Sequence, residues 1–389
     1  MTNAPRSTAA ALLAMGVLTG TALQPANAAT TAAATAATIA APNTLDLMER
    51  PAPLTAHGVR RLLLDVAPGG PGFVAVGEMG QLLASSDGKT WQQQTSPTSV
   101  MLTAVYFPER TKGWAVGHDG VILATTDGGR RWERQFDGRR ANAAVLAVAQ
   151  QEVADAEAAT PRNEERIAQA QDQLASAQDA SKAGPSRPLL AVRFVDTLRG
   201  FAAGAFGQLF ATDNGGADWR YIGNRLPNPE GLHLNGLSSY GEALYLAAEQ
   251  GVVFVSTNQG KSWQRSETGY AGNLYGVLPM AGADGNQILL AYGFKGHLFR
   301  SLDQGAHWSA LPRESSRKTW VQAQAQEGTA WLLTEDGRLF TSRDRGETLT
   351  PFGTSPLAIR RFAGFTLQGN RLVAVGLGGA SLHVLDNRP

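Results

Sequence analysis

The sequence GHDGVILATTDGGRRW occupies Gly117–Trp132 and holds a short apolar run between two turn signals. The run VILA has the length and character of a buried strand. The glycines permit positive φ, and an Asp in a tight turn accepts backbone N–H groups. The closing Trp offers a large ring for burial. The stretch therefore predicts a strand followed by a structural turn that a buried Trp closes.

The second half of this stretch recurs along the chain. It appears as SSDGKTW (Ser85–Trp91), TTDGGRRW (Thr125–Trp132), ATDNGGADW (Ala211–Trp219), STNQGKSW (Ser256–Trp263) and SLDQGAHW (Ser301–Trp308), and without the Trp as SRDRGETL (Ser342–Leu349). The Trp residues are spaced by 41, 87, 44 and 45 residues, so the long interval is one period plus an insertion. Seven paired apolar runs accompany the boxes, and four strands per period of about 40–45 residues is the size of a propeller blade. The sequence predicts an all-β, seven-bladed β-propeller over residues 56–389.

We interpret the box residues as structural, because equivalent turns distribute them around a periphery and they do not converge on one site. The residues assigned to this role are Asp87, Trp91, Asp127, Trp132, Asp213, Trp219, Asn258, Trp263, Asp303, Trp308 and Asp344.

These repeats resemble the Asp-box (bacterial neuraminidase) repeat superfamily. Within it they look most like the photosystem II stability/assembly factors of chloroplasts and cyanobacteria, on Gly117–Trp132 and on GAFGQLFATDNGGADW (Gly204–Trp219). The resemblance covers roughly residues 56–389. It implies a non-catalytic exported scaffold that binds a membrane protein complex, photosystem II, with newly made reaction-centre protein as its client. Sialidases, xyloglucan hydrolases and sortilin-type receptors share the Asp box, which therefore indicates fold more than function.

The N-terminus has the pattern of a secretory signal. Arg6 precedes an apolar stretch from Ala9 to Leu23, and Ala26-Asn27-Ala28 supplies a small-x-small cleavage pattern. We expect a signal peptide at 1–28, a low-complexity leader or linker at 29–55, and no membrane span after cleavage. The expected location is the periplasm or a thylakoid-lumen equivalent. A net charge of +1 argues against nucleic-acid binding.

Residues 139–186 interrupt the connection between the second and third blades. Two Gly-free segments rich in Ala, Gln and Glu flank Pro161, which is placed to open a second helix. The pattern predicts an antiparallel helical hairpin that projects from the propeller. A solvated decoration and a docking arm both remain open, and the insertion departs from the pattern of the photosystem factors.

The turns between second and third strands are expected to ring one mouth of the central channel. This mixed acidic and aromatic ring is the first candidate for contact with a ligand or partner. Its candidate residues are Glu78, His118, Asp119, Phe206, Glu249, Phe294, Lys295, Glu335 and Asp336.

Basic pairs near the first strands of blades one, six and seven are the second candidate, because those blades become neighbours when the ring closes. They supply Arg60, Arg61, Arg317, Arg360 and Arg361. A further basic group, Arg130 to Arg140, is expected at the base of the hairpin. For each group, a solvated rim is as good an interpretation as a binding site.

Catalytic and metal motifs are missing from the sequence. The chain has no Cys, and its six His residues show no metal-ligand spacing. We therefore expect no catalytic residues, no metal and no cofactor, in a monomer that binds a membrane protein complex. The alternatives are an accessory protein of a bacterial membrane transporter, and a sialidase-like glycoside hydrolase or carbohydrate-binding propeller.

Overall fold

The computed structural model describes residues 46–55, 57–282, 286–313, 316–353 and 360–385. Within these residues, 27 strands form seven antiparallel sheets, six of four strands and one of three, and two α-helices lie between the second and third sheets. The predicted signal peptide and residues 29–45 of the predicted leader lie outside the described residues.

Each sheet is a meander in which every strand pairs with the next strand in the chain. Blades one to three comprise β1 (Leu63–Gly69), β2 (Gly72–Gly77), β3 (Leu82–Ser85), β4 (Gln92–Gln93); β5 (Leu102–Tyr106), β6 (Gly113–Gly117), β7 (Ile122–Thr125), β8 (Glu133–Phe136); and β9 (Leu189–Phe194), β10 (Gly200–Gly204), β11 (Leu209–Thr212), β12 (Arg220–Tyr221). Blades four and five comprise β13 (Leu234–Tyr240), β14 (Ala243–Ala248), β15 (Val252–Ser256), β16 (Gln264–Glu267); and β17 (Leu274–Ala281), β18 (Gln287–Gly293), β19 (Leu298–Ser301), β20 (Ser309–Ala310). Blades six and seven comprise β21 (Trp320–Gln326), β22 (Thr329–Thr334), β23 (Leu339–Ser342), β24 (Thr350–Phe352); and β25 (Arg360–Gln368), β26 (Arg371–Leu377), β27 (Gly379–Val384).

The first strand of each blade lies beside the first strand of the next, and β25 lies beside β1. The sheets therefore form a closed ring, which confirms the predicted seven-bladed propeller. The first strands enclose a central channel with a volume of about 780 Å³. The predicted helical hairpin is also present.

Polar side chains on the first strands bond to the backbone of the following blade. Asp65 accepts the N–H of Val105 at 2.9 Å, and Gln324 accepts that of Leu367 at 2.9 Å. The other bonds of this kind run from Thr103 to the Leu189 carbonyl, from Asn235 to the Leu274 carbonyl and from the N–H of Phe365 to Gln322. These bonds satisfy backbone groups at the channel edge of each sheet, where no further strand pairs.

The ring closes through packing of blade one against blade seven. Phe73, Leu83 and neighbouring apolar residues of the first blade form one buried cluster with Val373 and Val375 of the last. Arg371 reinforces this contact, because its guanidinium lies 5.0 Å from the centre of the Phe73 ring and donates to the carbonyl of Asp87. All three described strands of blade seven come from the C-terminal part of the chain.

The hairpin consists of α1 (Gly138–Ala158) and α2 (Glu164–Ala183), and it does not project freely. Ala144 and Val145 of α1 pack in the cluster that contains Tyr221, and Asn224 donates to Glu152 at 2.8 Å. α1 therefore lies along the outer edge of blade three, whose fourth strand is only two residues long.

The helix ends follow from their caps. Asp137 accepts the N–H groups of Arg139 and Arg140, so α1 begins just after β8. The second helix begins at Asn163, which caps it, and not at Pro161, because Asn accepts the free N–H of Arg166. Gly184, with a φ of 87°, ends α2.

Residues 46–55, assigned to the leader, are a packed part of the propeller. Met48 is buried in the core between blades one and two. The backbone carbonyls of Leu47 and Pro51 accept hydrogen bonds from Thr98 and Ser99. We call residues 46–55 the N-terminal strap. The packed chain thus begins before residue 56, because buried Met48 and Ala52, backbone hydrogen bonds and ion pairs of Asp46 and Glu49 hold a segment that composition alone marks as a linker.

Candidate functional site: the mouth of the channel

The turns between second and third strands lie at one end of the propeller, beside the connections that join the blades. Backbone N–H groups of these turns bond to the connections, for example Glu78 to Leu62 at 3.1 Å and Phe294 to Asn273 at 3.0 Å. We call this end the mouth face. The Asp boxes and the turns between first and second strands form the other end, the Asp-box face, where the N–H of Gly215 bonds to the Leu198 carbonyl.

Five turns of the mouth face share one strained residue. Met79, Asp119, Phe206, Gln250 and Lys295 all have φ between 53° and 56°, although none is Gly. A left-handed conformation in a residue with a Cβ is costly, and it persists only where the surrounding turn fixes it. The recurrence in five blades shows that the repeated turn fixes it, so the strain alone does not indicate function.

Three of the predicted acidic residues bind the protein's own backbone. The carboxylates of Glu78, Glu249 and Glu335 accept the N–H groups of Leu62, His233 and Thr319 at 3.4, 3.0 and 3.3 Å. Each of these hydrogen bonds joins the turn to the residue just before the first strand of the same blade. Their carboxylates are thus directed inward, and the geometry gives them a positioning role in the turn.

Phe206 is the centre of an aromatic and cationic cluster on blades three and four. Its ring is 55% exposed, lies 4.7 Å from the His233 ring and carries the Arg187 guanidinium at 5.1 Å. The His233 ring in turn lies 3.1 Å from Glu249. Partial desolvation acts to raise the pKa of Glu249, but the two His233 contacts outweigh it and the pKa is lowered.

A second cluster surrounds Phe294 on blade five. Phe294 is 41% exposed, and the Lys295 ammonium lies 5.2 Å from its ring centre. Beside it, the Tyr270 and His297 rings stack at 3.9 Å, and Arg313 lies 3.2 Å from the His297 ring. Burial and then the neighbouring Arg313 charge lower the pKa of His297.

The hairpin covers blade two's part of the mouth face. Gly120 lies in the turn between β6 and β7, close to Gly138 at the start of α1. A Cβ on Gly120 would lie only 2.9 Å from the Cα of Gly138. Partial burial raises the pKa of Asp119, while the His118 side chain is exposed.

The turn of blade six has its own contacts. Asp336 accepts a hydrogen bond from the Thr334 hydroxyl and pairs with Arg338 at 3.5 Å.

The predicted basic residues lie on the mouth face. Arg60, Arg317 and Arg361 are exposed, and Arg361 lines the mouth of the channel. Arg61 lies 3.9 Å from Glu78. Gly379 of blade seven faces Arg60, so Arg60 lies where blades one and seven meet. The Arg360 side chain lies outside the described part of the structure.

The group Arg130 to Arg140 does not form one cluster. Arg130 and Arg131 lie in the Asp box of blade two, at the opposite end of β8 from Arg139. Arg134 pairs with Glu49 at 2.8 Å, and Arg139 pairs with Glu49 at 2.9 Å and with Asp46. The N-terminal strap therefore neutralises the arginines at the base of the hairpin.

The Asp boxes are turns closed by their own side chains. Asp303 accepts the Ser301 hydroxyl at 2.8 Å and the N–H of His307 at 2.9 Å. The same pattern holds for Asp87, Asp127, Asn258 and Asp344. The assignment of Asp213 is wrong, because Asn214 accepts the Thr212 hydroxyl at 2.9 Å and Asp213 pairs with Arg220 on the surface. The box of blade three is therefore shifted by one residue from the predicted alignment.

Sequence reasoning missed the polar groups inside the channel. Asp65 accepts the N–H groups of Val66 and Val105, but burial in the channel wall outweighs these bonds and raises its pKa to about 7. Arg193 lies over the Tyr106 ring at 4.5 Å and donates to Ser239 at 2.9 Å. The signal for Asp65 was a lone acid in LLDVAPG, the first strand of blade one.

Within the described part of the chain, no group of three or more His, Asp or Glu residues is arranged to hold a metal ion. Among the helices that the structure describes, none is long and apolar enough to cross a membrane.

The fold and its boxes define the chain as a seven-bladed Asp-box propeller with a polar and aromatic mouth face. The family profile of the photosynthesis system II assembly factor YCF48 matches residues 62–157 and 175–311. The chain belongs to this family. Residues 158–174, between the two matched segments, lie in the hairpin, and blades six and seven lie outside the matched residues.

Individual relatives agree with this assignment. The photosystem II assembly lipoprotein Ycf48 of Synechococcus sp. (strain CC9902) is 25% identical over 162 residues, which are 41% of this chain and 47% of that protein. The match thus spans about half the length of the curated relative. Two solved structures, YCF48 bound to D1 peptide and YCF48 from Cyanidioschyzon merolae, each have a TM-score of 0.57 and 16% identity. They cover 85% and 87% of this chain, and 95% and 99% of their own, and they show a shared fold.

Proposed function

We propose that this chain is a non-catalytic, exported assembly factor that binds the D1 reaction-centre protein of photosystem II through its mouth face. The match to the YCF48 family over residues 62–157 and 175–311 carries the proposal. A structural relative is named for its complex with a D1 peptide, and a curated relative is named a photosystem II assembly lipoprotein. An exported location, in a periplasm or thylakoid lumen, is consistent with the word lipoprotein in the name of that curated relative.

The geometry supports a binding role for this face more than a catalytic one. Glu78, Glu249 and Glu335 are occupied by backbone N–H groups, whereas Arg317 and Arg361 are exposed. Exposed guanidinium groups suit recognition of carboxylates on a peptide. The Asp-box carboxylates are held in their own turns, which supports a structural role for them.

Capture from membranes tests the partner. The tagged full chain is incubated with solubilised membranes of its source organism, and recovered D1 is measured by immunoblot. We expect Arg317→Glu with Arg361→Glu to lower D1 recovery at least tenfold, because two contacts to an anionic partner become repulsive. The matched control is Arg130→Glu with Arg131→Glu on the Asp-box face, which should keep recovery near wild type.

Two other results would contradict this proposal. Recovery of a transporter complex in place of D1 would favour the transporter-accessory alternative. Hydrolysis of a sialoside or glucan panel that Asp119→Asn or Glu335→Gln abolishes would establish an enzyme. A chain that lacks 141–183 shows in the same capture assay whether the hairpin takes part, since Gly138 and Pro185 are already adjacent at its base.

A further inference from the structure

Four large apolar side chains protrude from the mouth face. They are Met79, Phe206, Phe294 and Leu377, with exposed fractions of 40%, 55%, 41% and 53%. They belong to the turns of blades one, three, five and seven, so they are spread around the ring and do not line one groove. Met79 and Phe206 occupy the left-handed position of their turns.

Unpaired positive charge surrounds these apolar tips. Within the described residues, seven cations of the mouth face have no carboxylate at ion-pairing distance: Arg60, Arg187, Lys295, Arg313, Arg317, Lys318 and Arg361. Two of them extend over apolar rings, Arg187 over Phe206 and Lys295 over Phe294. The nearby carboxylates of Glu78, Glu249 and Glu335 are directed to backbone N–H groups. These carboxylates keep their charge, but the seven unpaired cations outnumber the five carboxylates of the mouth-face turns, so the face carries a net positive charge with apolar side chains among its charges.

We propose that the mouth face is a peripheral membrane-binding surface, which docks on a bilayer that contains anionic lipid. Phe206 and Phe294 enter the headgroup region, and Arg317, Lys318 and Arg361 face the lipid phosphates. Separated apolar tips suit a fluid bilayer, because each tip inserts into the headgroup region by itself. Clustered Lys and Arg give the affinity for anionic headgroups.

This inference goes beyond the proposed function, since it requires no partner protein. A propeller bound through this surface would have its channel axis perpendicular to the membrane, with the channel mouth facing the lipid. Binding is predicted to weaken as salt rises, because the electrostatic part is screened within about one Debye length.

Site-specific fluorescence tests the inference. The chain contains no Cys, so one introduced Cys carries an environment-sensitive fluorophore at a single known position. The mouth-face variants are Phe206→Cys and Phe294→Cys. The controls are Leu198→Cys and Leu302→Cys, which lie on the Asp-box face with comparable exposed fractions of 53% and 59%. Full-length labelled protein is mixed with phosphatidylcholine vesicles with and without phosphatidylglycerol.

We expect a blue shift of the mouth-face labels with anionic vesicles at low salt, and no shift of the control labels. Arg317→Gln with Lys318→Gln should weaken vesicle binding about tenfold or more, and Arg130→Gln with Arg131→Gln should leave it unchanged. Circular dichroism checks that each variant is folded. Equal shifts at both faces would mean attachment through another segment and would overturn the inference. Shifts of the mouth-face labels only when solubilised membrane protein is added would also overturn it, in favour of a protein-binding face.

Discussion

At the scale of single residues, the Asp box shows that hydrogen bonds and not charge define its key position. Asn214 and Asn258 make the same bonds to the preceding Thr or Ser hydroxyl as Asp127 and Asp303. An amide oxygen accepts these bonds as a carboxylate does. The position therefore tolerates Asn in two blades. The negative charge of Asp in the other boxes is not needed to close the turn.

Asn214 and Asp213 provide a test within one turn. Asn214→Ala removes the acceptor of the Thr212 hydroxyl and of the Asp218 N–H, and we expect it to lower the free energy of unfolding by about 1 kcal/mol. Asp213→Ala removes only a surface pair with Arg220 and should leave stability within about 0.5 kcal/mol of wild type. Urea unfolding of both variants checks the assignment. A larger loss for Asp213→Ala would restore the original alignment of the box.

Asp65 gives the fold a defined pH dependence. Its pKa is about 7 in the folded protein and near the ordinary value of 3.8 in the unfolded chain, so the folded state holds the proton more tightly between these values. The contribution of Asp65 to stability is thus greatest below about pH 4 and declines as the pH rises to about 7. We expect Asp65→Asn to gain stability relative to wild type over this range.

The measurement is the free energy of unfolding of both proteins in a series of buffers across that window. Above about pH 7 the difference between them should be constant, because Asp65 is then ionised in both states. A difference that does not change from pH 4 to pH 7 would show that Asp65 has an ordinary pKa.

At the scale of elements, sequence reasoning succeeded where a pattern repeats and failed where one contact decides. Seven blades follow from the recurring strands and boxes, and the hairpin follows from its composition. The strap was not predicted, because buried Met48, a few backbone bonds and the ion pairs of Glu49 hold it, and their partners lie far away in the chain. The contact of α1 with Tyr221 and the bonds of Glu78 depend on distant partners, which a local pattern does not contain.

The strap gives a matched pair of variants. Met48 is 2% exposed and its neighbour Leu47 is 47% exposed. Met48→Ala should lower the free energy of unfolding by about 2–4 kcal/mol, because it leaves a cavity between blades one and two. Leu47→Ala should change it by less than about 0.5 kcal/mol. Thermal and urea unfolding distinguish the two, and equal small effects would show that the strap is not part of the cooperative fold.

At the scale of the whole molecule, one ring holds together without a disulfide, since the chain has no Cys. Each apolar cluster between blades joins two neighbours, and the cluster of Phe73 and Val373 joins the last blade to the first. Stability is therefore shared around the ring, and the inner strands add side-chain bonds from blade to blade.

Loss of the last blade is predicted to open the whole ring. A chain that ends at residue 359 lacks β25, β26 and β27 and leaves the buried faces of Phe73 and Leu83 uncovered. We expect it to be cleaved by trypsin within blade one under conditions in which the full chain resists, because exposed edges open locally. Limited proteolysis followed by mass spectrometry locates the cuts. Resistance equal to that of the full chain would show that six blades form a stable unit by themselves.

The closing contact joins blade one to blade seven, which the ribosome makes much later. An unfinished chain cannot bury Phe73, Leu83 and their neighbours, since Val373 and Val375 have not yet been added. Translation and folding are therefore coupled at one seam, and every product that ends before Val373 leaves the same apolar surface exposed. Chaperones and proteases recognise exposed apolar surface of this kind, so a chain released before blade seven is made is open to both.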